Sequence, residues 1–341
     1  MNQIILKCLD KSNKRSPIIT EMVKGLVLSR DVSSTKHANY ITGDAKKESK
    51  IKRVERFYAK DYLDQGSAIC FLGECMQSER IVASMDRTNW ESGKLDVNAL
   101  VLYGKTENIS GMLNVELLDN KGGNSNFSDR KNVLEPVLKR LNGKISVLLC
   151  DREFFSFEFI NYLIETNTPF VIRIKQNLKF IKALKEDLRS VTLTRRKVMI
   201  GKFKDKELHL DLSGKKLANE YLLTVSYKVH NPLKEYRKRW GIECFFKSLK
   251  TSGFNVENTH LKQLKRLRSL FLLCGMAYFM CVLMGSWAHR NITRIKFKKT
   301  LNCNQFSLFR YGIDWITQLF FARAKPPALL GLPCVSISRV R

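Results

Sequence analysis

"KISVLLCDREF", residues 144–154, is a short apolar run that ends on an acid. The run is too short for an ordinary helix and too uniformly apolar for a strand with one wet side, so it reads as a strand buried on both faces. Behind it lie the helix-like "FFSFEFINYLIE" (154–165) and another apolar run, "PFVIRIK" (169–175). Ahead of it lie three strand-like stretches, "RIVASMD" (80–86), "DVNALVLYG" (96–104) and "MLNVELLD" (112–119), then the amphipathic "FSDRKNVLEPVLKRL" (127–141). Three strands, helix, strand, helix, strand is the order of an α/β domain whose mixed sheet carries helices on its faces. Residues 188–228 add short strands and are expected to form a small β-rich insertion. No internal repeat, low-complexity tract or Pro-rich linker interrupts the chain.

Residues 1–77 are polar, basic and helical in pieces, which suggests an N-terminal helical region that contacts DNA or caps the fold. The main domain is expected over 78–290, and residues 291–341 form a basic C-terminal region. The 341 residues carry 60 Lys and Arg against 32 Asp and Glu, a formal charge of +28 spread through most of the length. Such a surface favours a polyanionic partner, nucleic acid ahead of an anionic membrane. The nine cysteines are odd in number, scattered and without a CxxC pair, so they read as reduced residues of a cytoplasmic protein. The N-terminal apolar run is too short for a signal peptide. "SLFLLCGMAYFMCVLMGSW" (269–287) is uncharged and long enough to cross a bilayer. Its two glycines and the lack of a second such segment favour the central helix of a large core.

The stretch "HNPLKEYRKRWGIECFFKSLKTSGF" (230–254) has helix punctuation: Asn231 as N-cap, Pro232 in the first turn, Gly253 near the stop. On one helix, Tyr236, Arg239, Glu243 and Lys250 fall within roughly 60° of each other. A solvated face with an Arg239–Glu243 pair explains this spacing on its own. The strand-end acids weigh against that reading. Asp86 and Asp151 each follow an apolar run, and a carboxylate placed there needs neutralising, which oxygen-liganded divalent cations do. Two strand-end aspartates and a helix glutamate suit a pair of Mg²⁺ ions acting on a phosphodiester. Tyr236, Arg239 and Lys250 would supply phosphate contacts. Asp119, which ends "MLNVELLD", is a rival to Asp151. Arg152, Arg173, Lys175 and Lys247 are candidates for the DNA path, and Asp96 and Glu153 read as peripheral.

These residues resemble the bacterial insertion-sequence DDE transposases of the fourth insertion-sequence family. Its Y-x2-R-x3-E-x6-K signature is matched without a gap by Tyr236, Arg239, Glu243 and Lys250. Asp86 in "DRTNW" and Asp151 in "CDREF" resemble the first and second catalytic aspartates. The resemblance implies a ribonuclease-H-like catalytic domain and two Mg²⁺ ions, replaceable by Mn²⁺, on Asp86, Asp151 and Glu243. It further implies cut-and-paste transposition: nicking at terminal inverted repeats, a hairpin intermediate, and joining to target DNA by a homodimer in the DNA complex. Trp90 and Trp240 are candidates to stack on a base flipped from the hairpin. The interval from Asp151 to Glu243 is short for the family. The alternatives are a catalytically inactive, DNA-binding transposase remnant and a membrane-associated basic protein.

Overall fold

The computed structural model describes residues 16–60, 62, 63, 66, 76, 80–92, 95–119, 123–141, 143–177, 192–217 and 220–321. Expectations for residues 1–15, most of 64–79, 178–191 and 322–341 lie outside the described residues. The sheet begins as a meander of β1 (Ile81–Ser92), β2 (Leu95–Lys105) and β3 (Ser110–Leu117), paired antiparallel. Strands β4 (Ile145–Cys150) and β5 (Phe170–Ile174) then join on the other side of β1 in parallel. Helices α4 (Phe127–Leu141) and α5 (Phe157–Glu165) connect them. This order, β3-β2-β1-β4-β5, is that of a ribonuclease-H-like α/β fold. Strands β1, β4 and β5 are parallel neighbours, so helices must cover both faces of the sheet.

The strands at 192–227 are built into that sheet. Strands β6 (Thr192–Phe203), β7 (Lys206–Lys216) and β8 (Tyr221–Tyr227) form an antiparallel set. β8 pairs antiparallel with β5, Phe170 opposite Tyr227 and Ile174 opposite Leu223, so the sheet has eight strands in one continuous order.

The helix over 230–254 departs from the single rod drawn from its spacing. It is broken into α6 (Pro232–Tyr236), a 3₁₀ turn (Arg237–Arg239) and α7 (Trp240–Leu249). The turn holds three consecutive cations, none of them fully buried, and such short 3₁₀ pieces are common where two helical segments meet. α6 covers the sheet face made by Val82, Val147, Leu149 and Val171, with Tyr236 buried against it. α7 buries Ile242, Phe245 and Leu249.

The long apolar segment forms α8 (Leu264–Asn291). Among the described residues it is the helix long and apolar enough to cross a membrane, and 94% of its most apolar window is buried within the fold. It packs on β3, on α1 (Ser16–Ser29) and on the C-terminal α9 (Leu308–Phe321). Where α8 and α9 cross, their backbones touch. A Cβ on Gly312 would lie 1.7 Å from the Cys281 carbonyl oxygen, and one on Gly285 would lie 1.9 Å from that of Leu308. Two short helices, α2 (Ser34–Ala38) and α3 (Lys47–Ala59), pack together beside this layer. Ile19, Met22, Val23 and Leu26 of α1 belong to the same apolar core as the sheet and α8.

Candidate active site

Three acids from three elements meet where the parallel pairing of β1 stops. β1 is bonded to β4 only as far as Met85 opposite Cys150, while its antiparallel ladder with β2 runs on to Ser92. Asp86 therefore lies in the middle of a strand and not at its end, level with the point where β4 gives way to Asp151. The apolar run that precedes Asp86 marks the part of β1 covered from both sides. Beyond it the strand continues with one neighbour fewer.

Both aspartates point to the face covered by α6, the 3₁₀ turn and α7. Arg239 Nη1 donates to Asp86 Oδ2 at 2.7 Å, and Nη2 donates to Glu243 Oε1. Tyr236 Oη donates to Asp151 Oδ1 at 3.4 Å, and the Arg239 guanidinium lies 5.8 Å from the Tyr236 ring. One cation thus holds two of the acids and a phenol holds the third. Asp86 Oδ1 also accepts the main-chain N–H of Arg87 at 2.8 Å.

The electrostatics follow from this packing. Burial raises the Asp86 pKa above the usual aspartate value, and the Asp151 charge adds to the rise. Arg239 and the Arg87 amide oppose it without cancelling it. Burial by itself would lower the Arg239 pKa, but Tyr236, Asp86, Asp151 and Glu243 together raise it. Burial also pushes the Tyr236 hydroxyl up, so it stays protonated as a donor. The pocket holds more negative charge than one guanidinium compensates.

Lys250 is not on the helix face that its spacing suggests. It caps α7 with a non-helical backbone, and its ammonium donates to the Asn89 carbonyl at 3.0 Å and pairs with Glu257 at 2.9 Å. Arg173 pairs with Glu220 at 3.0 Å and is close enough to act on Tyr236. Lys175 and Arg152 line a cavity of about 410 Å³ together with Asn124, Glu153 and Phe155. Lys247 is exposed on α7, and Asp119 and Asp96 are exposed as well. Trp90 is buried against Phe271, 5.6 Å between ring centroids. Trp240, next in sequence to Arg239, is 65% exposed.

The sequence reading passed over Arg87 and took Glu153 as peripheral. They form an ion pair at 2.8 Å immediately behind the two aspartates. Local pattern holds no signal for the pair, since each residue reads by itself as an ordinary surface charge.

Among the described residues, no three His, Cys, Asp or Glu side chains are close enough to make a ready-formed metal group. Asp86, Asp151 and Glu243 nevertheless offer only oxygen donors, which suits a hard divalent cation. Three carboxylates share the Arg239 guanidinium or lie beside it, so the cluster has acidic oxygens to offer such an ion.

A search of curated protein sequences finds no match. Among solved structures, the chain is similar to the piggyBac transposase in a synaptic complex with hairpin DNA. The TM-score is 0.43 and the identity 13%, over 99% of this chain and 74% of that one. The profile of the transposase DDE domain matches residues 106–280, just over half of the chain, a span that includes Asp151 and Glu243 but begins after Asp86. By that match, the chain belongs to the transposase DDE domain family.

Proposed function

We propose that this transposase is a cut-and-paste enzyme of the fourth insertion-sequence family, acting on the double-stranded terminal inverted repeats of its element and on target DNA. Asp86, Asp151 and Glu243 are the catalytic acids, and they hold two Mg²⁺ ions, for which Mn²⁺ can substitute. The observation that carries this reading is the Arg239 guanidinium, which bridges Asp86 and Glu243 while Tyr236 holds Asp151. Three acids distant in sequence are gathered around one positive centre.

Asp86, Asp151 and Glu243 would hold the divalent cations, which when bound would supply Lewis acidity at a phosphodiester and activate an attacking water or 3′ hydroxyl. The remaining work belongs to the chain. Arg239 has two acceptors to choose between, the acids and a DNA phosphate, and a guanidinium binds either in the same forked geometry. Tyr236 is protonated and placed to donate to a phosphate oxygen beside Asp151. Lys250, at the end of α7, and the exposed Lys247 extend the positive surface past Glu243. Arg173, Lys175 and Arg152 do the same beyond Asp151. The protein acts as a homodimer on DNA in the cytoplasm, at the nucleoid, and α8 serves as a core helix and not as an anchor.

The test is Mg²⁺-dependent nicking of duplex DNA carrying the element's own ends, comparing wild type with Glu243→Ala. Nicking by the wild type alone supports the assignment. Equal DNA binding by both proteins with no nicking by either, in Mg²⁺ or in Mn²⁺, sinks the catalytic reading and leaves a DNA-binding protein.

A further inference from the structure

We infer that Arg87 and Glu153 are positioning residues for the catalytic acids, a clamp that sets Asp86 against Asp151 from the opposite face of the sheet; this rests on the metal-dependent reading above. The main-chain ladder between β1 and β4 ends at Met85 and Cys150, one residue before each aspartate. From that level onward the link between the two acid-bearing segments passes through side chains. Arg87, directly after Asp86, places Nε 2.8 Å from both carboxylate oxygens of Glu153, two residues after Asp151. The same Arg87 offers its main-chain N–H to Asp86 Oδ1. Tilting Arg87 therefore moves the Asp86 carboxylate directly.

The clamp is a built feature. The two side chains are only 16% and 18% exposed. The other nitrogens of Arg87 donate to Asn98 Oδ1 at 3.3 Å, to the Gly123 carbonyl at 2.7 Å and to Asn124 Oδ1 at 3.2 Å. Glu153 Oε1 also accepts from Ser125 Oγ at 3.2 Å. Beneath it, the buried Arg130 of α4 donates to the main-chain carbonyls of Ser125 (2.6 Å) and Glu153 (3.1 Å). β1, β2, the 123–125 loop, the 3₁₀ turn after Asp151 and α4 are thus tied at one point. A fork with several fixed acceptors holds direction as well as distance, which a lysine ammonium does not. Acids that share cations must keep their geometry to about half an ångström, so residues that orient them carry affinity without touching the ions.

The experiment measures Mn²⁺ binding to the full chain by electron paramagnetic resonance, in wild type, Arg87→Gln, Arg87→Lys and Glu153→Gln, with duplex-DNA affinity measured in parallel. The clamp predicts that Arg87→Gln and Glu153→Gln bind Mn²⁺ about 10-fold or more weakly, with DNA affinity unchanged. Arg87→Lys should fall between them and wild type. Raising Mn²⁺ to saturation should restore nicking, which a merely misfolded variant would not do. Wild-type Mn²⁺ affinity in a folded Arg87→Gln or Glu153→Gln overturns the proposal. If Arg87→Gln does not fold, the near-isosteric Glu153→Gln decides by the same criterion. A wild-type protein that binds no Mn²⁺ overturns the metal reading and the clamp with it, whereas binding that all variants share overturns the clamp alone.

Discussion

Arg239 and Asp86 stand 2.7 Å apart across 153 residues of sequence, and the same guanidinium also holds Glu243 one helical turn away. The pair is mostly buried, with side-chain exposures of 15% and 21%, so it is worth more than a surface ion pair and its loss leaves an under-compensated acid.

Replacing Arg239 by Gln should cost on the order of 1–3 kcal/mol at neutral pH, because Asp86 and Glu243 lose their common donor. On the proposed metal reading, divalent cations and Arg239 draw on the same acids, so Mg²⁺ or Mn²⁺ should raise the melting temperature of Arg239→Gln more than that of wild type. DNA binding by the variant should show a salt slope shallower by about one phosphate contact. Thermal melts with and without metal, and a salt titration of DNA affinity, check both. Equal metal shifts in the two proteins would contradict a shared site.

Trp240 should matter for DNA and not for folding. Its ring is largely in solvent beside Arg239, so Trp240→Ala is expected to change stability by no more than about 0.5 kcal/mol. If it stacks on an unpaired base near the site, the same change removes about 1–3 kcal/mol of affinity for a hairpin or single-stranded end. Affinity for fully paired duplex should hardly move. Trp90→Ala, by contrast, empties a packed position against Phe271 and should act through stability, which paired melting and binding measurements separate.

His37 should give the protein a specific acid sensitivity. It is fully buried, and burial lowers its pKa from 6.5 to about 4, against the opposing influence of the Met22 backbone and the Glu21 charge. The folded state thus favours the neutral ring. The stability this gives is complete above pH 6.5 and is lost as pH falls from there toward 4, by an amount on the order of 3 kcal/mol. Urea unfolding at pH 7 and at pH 4.5 should show a smaller difference in His37→Gln than in wild type.

The sheet was legible in the sequence because each central strand is a short apolar run bounded by polar residues, and Asp86, Asp151 and Glu243 stood out as candidates because acids are conspicuous in such company; the structure brings the three together around Arg239 and Tyr236. What escaped was set by distance. The join of β8 to β5 brings together strands separated by more than 40 residues, and local pattern does not specify a partner strand. The offset of Lys250 from the helix face came from the 3₁₀ turn and the early end of α7, since a face computed at 100° per residue assumes an unbroken α-helix. The Arg87–Glu153 pair was hidden because each residue looks like an ordinary surface charge until the strands are laid side by side.

β1 lies in the middle of the order, with β2 on one side and β4 on the other, yet the stretch of similarity to the family starts at residue 106, after both β1 and β2. A fragment cut at the limits of that similarity would keep β3 and β4 and lose the two strands between them. The sheet would fall into two pieces, each with a raw hydrogen-bonding edge. Recombinant work on this domain should begin ahead of residue 80, since the strands that must fold together extend beyond the matched stretch.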